Sequence, residues 1–398
     1  MTVRTAAAPA LHPFALRMMV FFAGYFLVNG VAQPFLPVWL QSRGLTPVEI
    51  ANCVALPALM RVFLTPLAGL YADRAPSRRF AVISLTLPAA LVFALAWPFY
   101  SFWPLLFITA GAMTLSTLAG PPSLALALTG VRRYGLDFGR MRVVGSIAFA
   151  VANIGAGAVL GFLHAGATFW LLLIAMTVSA TASFALPVTP PADSAKDDAR
   201  RPDSRSRREV LGNRAFLALM AACGLTQASQ AMLNGFGSIE WTRLGFSGFQ
   251  IGTYWAIGLG CEIALFVWSA PALRKFGSIG LLIIGAIASI VRWSLFPLEF
   301  GYWGYAALQA MHGLTFGANA LGTQHLIAEI VPERMTASAQ GIYAMFLGLL
   351  LATTTSLTGP IYGAFGINGF YFMVPFAAAS LLICLAFRRY AAANSVHG

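Results

Sequence analysis

Twelve apolar stretches dominate the chain, at about 14–40, 47–71, 80–100, 102–129, 139–162, 167–187, 214–240, 248–270, 278–297, 302–329, 337–362 and 367–390. A helix crossing the hydrocarbon layer needs about 20 apolar residues, and each stretch reaches that length. Inside lipid every backbone N–H and C=O must find a partner in the protein, so runs this long and continuous can only be helices. Only 10% of the 398 residues are charged, where a soluble domain carries about 25%. The expected fold is therefore an all-α integral membrane protein with twelve transmembrane helices.

The net charge of +12 could suggest a nucleic-acid binder, but the placement of the charge excludes that reading. Of the 25 Lys and Arg, all but five fall at the N-terminus, on the loops after even-numbered stretches, at the start of the following stretch, or at the C-terminus. Arg74, Arg78, Arg79, Arg132, Arg133, Arg274, Lys275, Arg388 and Arg389 are typical. The opposite loops hold only Arg43 and Arg243, and Arg61, Arg142 and Arg292 lie within or at the mouth of apolar stretches. The bias follows the positive-inside pattern and predicts that both termini are cytoplasmic. A multi-pass protein of a bacterial inner membrane, acting as a monomer, is expected. Cys53, Cys223, Cys261 and Cys384 all lie in apolar stretches without pair spacing, and read as small core residues. The first stretch is too long for a signal-peptide core and is expected to be retained.

The polar, proline-rich segment 188–213 cannot bury an apolar face and divides the stretches six and six. The predicted organisation is a six-helix bundle over 1–187, a cytoplasmic linker over 188–213, and a second six-helix bundle over 214–398. The halves align at an offset of 201: Gly44-Leu45-Thr46 faces Gly245-Phe246-Ser247, Ile50 faces Ile251, and Arg74 faces Lys275. At the same offset Arg61 faces Glu262, so one slot carries opposite charges in the two halves. Two parallel six-helix repeats are the layout of the major facilitator fold, with a binding site at mid-membrane between them.

Charges set into apolar spans are costly, by about 2.5–3.5 kcal/mol on insertion scales, and by default mark a substrate or ion pathway. Glu262, Arg292 and Arg142 are such charges. Three polar stripes follow helical spacing: Tyr25, Asn29 and Gln33; Gln227, Gln230, Asn234 and Ser238; and Gln309, His312, Phe316, Asn319 and Thr323. Each stripe alone fits interhelical hydrogen bonding as well as it fits cavity lining, and the three together favour a shared aqueous cavity. Phe149, Trp255 and Trp293 could clamp an aromatic ring. Glu240 and Glu329 fall near span ends and are expected to be solvated. Arg61 is expected to pair with an acid or a carbonyl.

Several segments carry a resemblance. Gly69-Leu70-Tyr71-Ala72-Asp73-Arg74, followed by Arg78-Arg79, resembles the loop motif of the major facilitator superfamily, with Pro76-Ser77 where its inner glycine is expected. Asp73 and Arg74 would then form a conformational latch. Asp137-Phe138-Gly139-Arg140-Met141-Arg142, Gly260-Cys261-Glu262, Ile290-Val291-Arg292-Trp293 and Gln309-Ala310-Met311-His312-Gly313 together resemble the lactose-permease-like branch, and within it the 3-phenylpropionate permease group. The resemblance implies Arg142 as the substrate-orienting arginine, Glu262 as the carboxylate of substrate binding and proton coupling, Arg292 as a cavity arginine, and His312 as the histidine of the coupling network. Three positions depart from it. Thr315 stands where a proton-carrying glutamate is expected, Leu124 where an acid is expected opposite Arg142, and Phe149 where the sugar permease stacks a tryptophan.

The expected function is proton-coupled symport of a small organic, aromatic carboxylate by alternating access. Arg142, Arg292, Phe149, Trp255, Asn29 and Asn234 would bind substrate, and Glu262 and His312 would couple the proton. A sugar or nucleoside carrier, or an efflux carrier, of the same fold is the alternative. An enzyme is not expected, nor are a cofactor, a metal or a nucleic-acid partner. His312 and His325 fall on different helix faces, and neither Lys196 nor Lys275 ends a phosphate-binding glycine loop.

Overall fold

The computed structural model describes residues 12–188, 210–332 and 335–395. Most of the expected linker therefore lies outside the described residues. Among the described residues fifteen α-helices follow in chain order. In the first half they are α1 Pro13–Ser42, α2 Pro47–Arg74, α3 Arg78–Ala94, α4 Phe102–Leu118, α5 Gly120–Tyr134, α6 Phe138–Phe162 and α7 Thr168–Ser183. In the second they are α8 Arg214–Ala228, α9 Ser238–Arg243, α10 Gly248–Val267, α11 Ser269–Leu295, α12 Gly301–Ala310, α13 Asn319–Ile330, α14 Thr336–Phe365 and α15 Val374–Ser395.

Nine stretches among the described residues are long and apolar enough to cross a membrane, and one of them, Ser338–Arg389, covers most of both α14 and α15. The two further spans of the expected twelve are α3, which is 17 residues long, and α12–α13, whose hydropathy is diluted by its polar stripe. Three spans are broken. Helices α4 and α5 meet at Ala119–Gly120, while π-helical turns at Leu233–Gly237 and Gly313–Ala318 join α8 to α9 and α12 to α13. Such turns shift side chains out of regular register and occur often at functional sites. Helix α11 kinks at Gly277, where φ is 68°, next to the expected start of its span at 278.

The internal repeat is visible in local geometry. Gly44 and Gly245 both take left-handed conformations, at φ 86° and 84°. Capping boxes follow both, Thr46 with Glu49 opening α2 and Ser247 with Gln250 opening α10. Each box satisfies two otherwise unpaired helix-end donors.

Helix α1 packs on α6 and α7, α2 on α4, and α3 on α4 and α7; in the second half α11 packs on α13 and α15, and α8 on α14 and α15. Two seams join the halves, α2 against α14 and α6 against α10. At the face opposite the termini a single apolar core crosses between halves, with Trp39, Phe93 and Phe169 in one cluster with Trp241, Phe296 and Phe370. Toward the terminal face the core splits. Met18, Phe21 and Leu126 pack in the first half, and Phe216, Leu326 and Ile327 in the second.

Glycines decide how closely the opposite face closes. A Cβ on Gly157 would strike the Gly248 carbonyl, and one on Gly252 the Asn153 carbonyl, across the α6–α10 seam. A Cβ on Gly359 would lie 2.8 Å from Ala51 Cβ, Pro47 O and Val48 Cα across the α2–α14 seam. In lipid, helices associate through van der Waals contact rather than water exclusion, so small residues permit the closest approach.

Candidate functional site

Between the halves lies a cavity of about 770 Å³, lined from both sides. It occupies the part of the interface nearer the terminal face, where the core is split. Of the predicted site residues, Arg142, Phe149, Asn234, Trp255, Glu262 and His312 line it. Four predicted residues fall elsewhere. Asn29 donates its amide to the Tyr25 carbonyl of its own helix at 3.3 Å and is absent from the wall. Arg292 is fully buried one layer behind the wall. Asp73 and Arg74 are exposed at the terminal-face end of α2, away from the cavity.

The polar stripes divide by depth. Gln33, Gln227, Gln230, Asn234, Gln309, His312 and Phe316 reach the cavity. Tyr25 instead donates to the Thr117 carbonyl at 3.3 Å, Ser238 accepts from Trp255 Nε1 at 2.9 Å, and Asn319 and Thr323 donate to the Cys223 carbonyl and sulfur. Each stripe thus serves both roles, lining at some turns and joining helices at others.

Arg142 enters the wall from the first turns of α6, where Asp137 caps the helix by accepting from the Arg140 N–H at 3.1 Å. Its guanidinium lies over the Phe26 ring at 4.0 Å. That ring fits only because residue 145 is glycine, since a Cβ there would run into Phe26. Phe26 is thus a platform for the arginine, and cation–π contact of this kind is worth about 0.5–2 kcal/mol. Glu262 sits on α10, across the seam from Arg142, with no direct ion pair between them among the described residues. Its Oε2 is 3.8 Å from His312 Nε2.

Behind the wall Arg292 gathers four neutral groups. Its Nη1 reaches Thr315 Oγ1 at 3.1 Å, Gln230 Oε1 at 3.3 Å and His312 Nδ1 at 3.4 Å, and its Nη2 donates to Gln309 Oε1. No carboxylate touches it among the described residues. Thr315, at the position where the resemblance leads one to expect a glutamate, supplies only a hydroxyl.

Three expectations are overturned. Trp293 does not clamp a ligand: it is fully buried, donates to Ser229 Oγ at 3.0 Å and packs on Phe296 and Phe370. Phe26 and Phe316 join Phe149 and Trp255 as the cavity aromatics instead. Glu240 is not solvated but 1% exposed, accepting from Tyr362 Oη and Arg243 Nε, each at 2.6 Å. It closes a span end against α14, which its position near a loop could not reveal. Arg61 pairs with no acid or carbonyl among the described residues and instead lines the cavity. The opposite-charge slot at offset 201 was the signal for it, since the repeat brings Arg61 and Glu262 to matching places on α2 and α10. Phe26 had no such signal.

The model of the MFS_1 like family matches residues 14–373. The chain belongs to that family. It is a multi-pass membrane transporter and not an enzyme. The "Probable 3-phenylpropionic acid transporter" of Escherichia coli (strain K12) is 27% identical over 364 residues, 90% of this chain and 94% of that protein. The "Maltose permease" of Geobacillus stearothermophilus is 26% identical, over 83% of this chain and 84% of its own. Among solved structures, the nucleoside transporter NupG superposes with a TM-score of 0.81 at 17% identity, covering 94% of this chain and 98% of that one. That likeness is one of fold.

Proposed function

We propose that this MFS_1 like transporter carries a small organic carboxylate, with an aromatic or other apolar body, in symport with protons. The observation that carries the reading is charge. Arg61 and Arg142 line the cavity, Arg292 stands behind it, and Glu262 is the one carboxylate among the lining residues. Guanidinium cannot be deprotonated in proteins and only donates hydrogen bonds, so a cavity so lined favours an anion. Phe26, Phe149, Trp255 and Phe316 supply apolar and aromatic surface for its body. The Escherichia coli relative, a probable 3-phenylpropionic acid transporter, supports the same substrate class.

Glu262 is the proposed proton site and His312 its relay. Arg292 has no acceptor to offer, so Nδ1 of neutral His312 must accept, and the imidazole proton then sits on Nε2, facing Glu262. Proton gain or loss at Glu262 changes its attraction to Arg142 across the α6–α10 seam, which links protonation to rocking of the halves. The two units are taken as 1–187 and 214–398 joined by 188–213, in a bacterial inner membrane with cytoplasmic termini, working as a monomer. On that orientation the cavity faces inward, and Asp73 and Arg74 lie at the cytoplasmic ends where a latch would act.

A second reading, a neutral sugar or nucleoside, draws on the amides Gln227, Gln230, Asn234 and Gln309 of the wall. Competition of whole-cell uptake by 3-phenylpropionate against nucleosides separates the two. The coupling role is tested by Glu262→Gln, which should abolish uphill accumulation while counterflow exchange stays measurable. Normal uphill accumulation by that variant would remove Glu262 from the proton route.

A further inference from the structure

Arg292 presents a problem that carboxylate transport does not answer. A cation buried without a counter-charge is expensive even when hydrogen-bonded, yet its partners Gln230, Gln309, His312 and Thr315 are all neutral. What Arg292 does to those partners is specific. It can only donate, so both glutamines must turn their oxygens toward it and their NH2 groups away. Gln230 and Gln309 are both wall residues. The two glutamine oxygens are therefore held by Arg292, which leaves their N–H groups as the part of each amide free for another partner. Gln230 is 3% exposed, and its Nε2 has no partner among the described residues.

The first half contributes the donor-only guanidiniums of Arg61 and Arg142 to the wall. Both halves thus contribute donor-bearing side chains to the wall, which also holds the aromatic rings of Phe149, Trp255 and Phe316. Three arginines against one carboxylate leave two positive charges uncompensated.

We propose that Arg292 is a positioning residue that makes Gln230 and Gln309 a second anion-binding subsite, opposite Arg61 and Arg142. The preferred substrate is then a dianion, an apolar or aromatic body with an acidic group at each end. One acid group takes the two guanidiniums. The other takes the amide N–H groups, backed by the charge of Arg292. This inference rests on the carboxylate reading above and narrows it.

The test is counterflow in proteoliposomes with a matched pair, 3-phenylpropionate and 3-(4-carboxyphenyl)propionate. The wild type should show a KM for the diacid at least tenfold below that for the monoacid. Gln309→Glu gives Arg292 a counter-charge and removes one N–H donor. It should fold at least as well as wild type by thermal unfolding in detergent, and its diacid preference should fall to onefold or below. Gln309→Leu should also lose the preference, whereas Gln230→Asn, which keeps the donor, should retain part of it. A merely structural Arg292 would move both KM values together and leave their ratio alone. Equal KM values for the two acids in the wild type, or an undiminished preference in Gln309→Glu, overturn the dianion proposal while leaving carboxylate transport in place. If neither acid exchanges and an uncharged nucleoside or maltoside does, both proposals fall.

Discussion

Closure of the face opposite the termini should yield to one methyl group. Gly359 on α14 lies against the first turn of α2, and a Cβ there would sit 2.8 Å from Ala51 Cβ, Pro47 O and Val48 Cα, against the 3.4 Å where ordinary contact begins. Two of those three atoms are backbone, so no rotamer change relieves the clash, and the helices must part by about 0.6 Å, the difference between those distances. Overpacking of this kind costs about 1–3 kcal/mol. The contact exists only while the α2–α14 seam is shut, so that cost falls on one conformation and shifts the equilibrium away from it by about 5- to 150-fold. Gly359→Ala should thus expose the cavity to the opposite face. The assay places a single cysteine at Gln33, a cavity-lining residue, in a background lacking the four native cysteines, and measures its labelling by a membrane-impermeant maleimide. Labelling in Gly359→Ala should be at least fivefold faster. Gly69→Ala is the control, because a Cβ there meets nothing within 4 Å. Equal rates in Gly359→Ala and its parent would refute the view that backbone contact at this seam holds the face closed.

Other expectations concern single contacts. Phe26→Leu removes the ring beneath Arg142, and the KM for a carboxylate in counterflow should rise about 2- to 30-fold, the equivalent of 0.5–2 kcal/mol; an unchanged KM would deny Phe26 its platform role. Gly145→Ala should give the same phenotype by displacing that ring. Tyr362→Phe strips a hydrogen bond from buried Glu240 and should lower stability in detergent by about 1.5–3 kcal/mol, read by thermal unfolding, since bonds to charged groups are worth that much. Arg78→Ala breaks contacts at 3.3 and 3.0 Å to the Ala125 carbonyl and Thr129 Oγ1. It should loosen the terminal-face packing of α3 on α5, seen as faster proteolysis there.

How much of the site was legible depended on what each residue's role requires. Arg142, Glu262 and Arg292 stood out because an ionisable group in a long apolar span has few excuses, and His312 through its polar stripe; all but Arg292 line the cavity. Arg61 was marked only indirectly, through the repeat. Asn29 and Trp293 looked equivalent to Asn234 and Trp255 in type and spacing, yet a helix presents several faces, and neighbours decide which face meets the cavity. Asn29 bonds to its own helix, and Trp293 is sealed by Ser229, Phe296 and Phe370. The π turns at Leu233–Gly237 and Gly313–Ala318 add to this, because they rotate later residues of a stripe away from the face that a 3.6-residue period predicts.

The sequence by itself determined the solvent, the helices, their number and the repeat, because those follow from span length, charge placement and capping chemistry, which act locally. Tertiary structure decided which arginine faces the cavity and which stands behind it, that Glu240 is buried, and that Gln230 and Gln309 turn their oxygens to Arg292. Those outcomes depend on which side chains meet across helices far apart in the chain, and a donor-only group such as Arg292 fixes the polarity of its neighbours only once packing has brought them within reach.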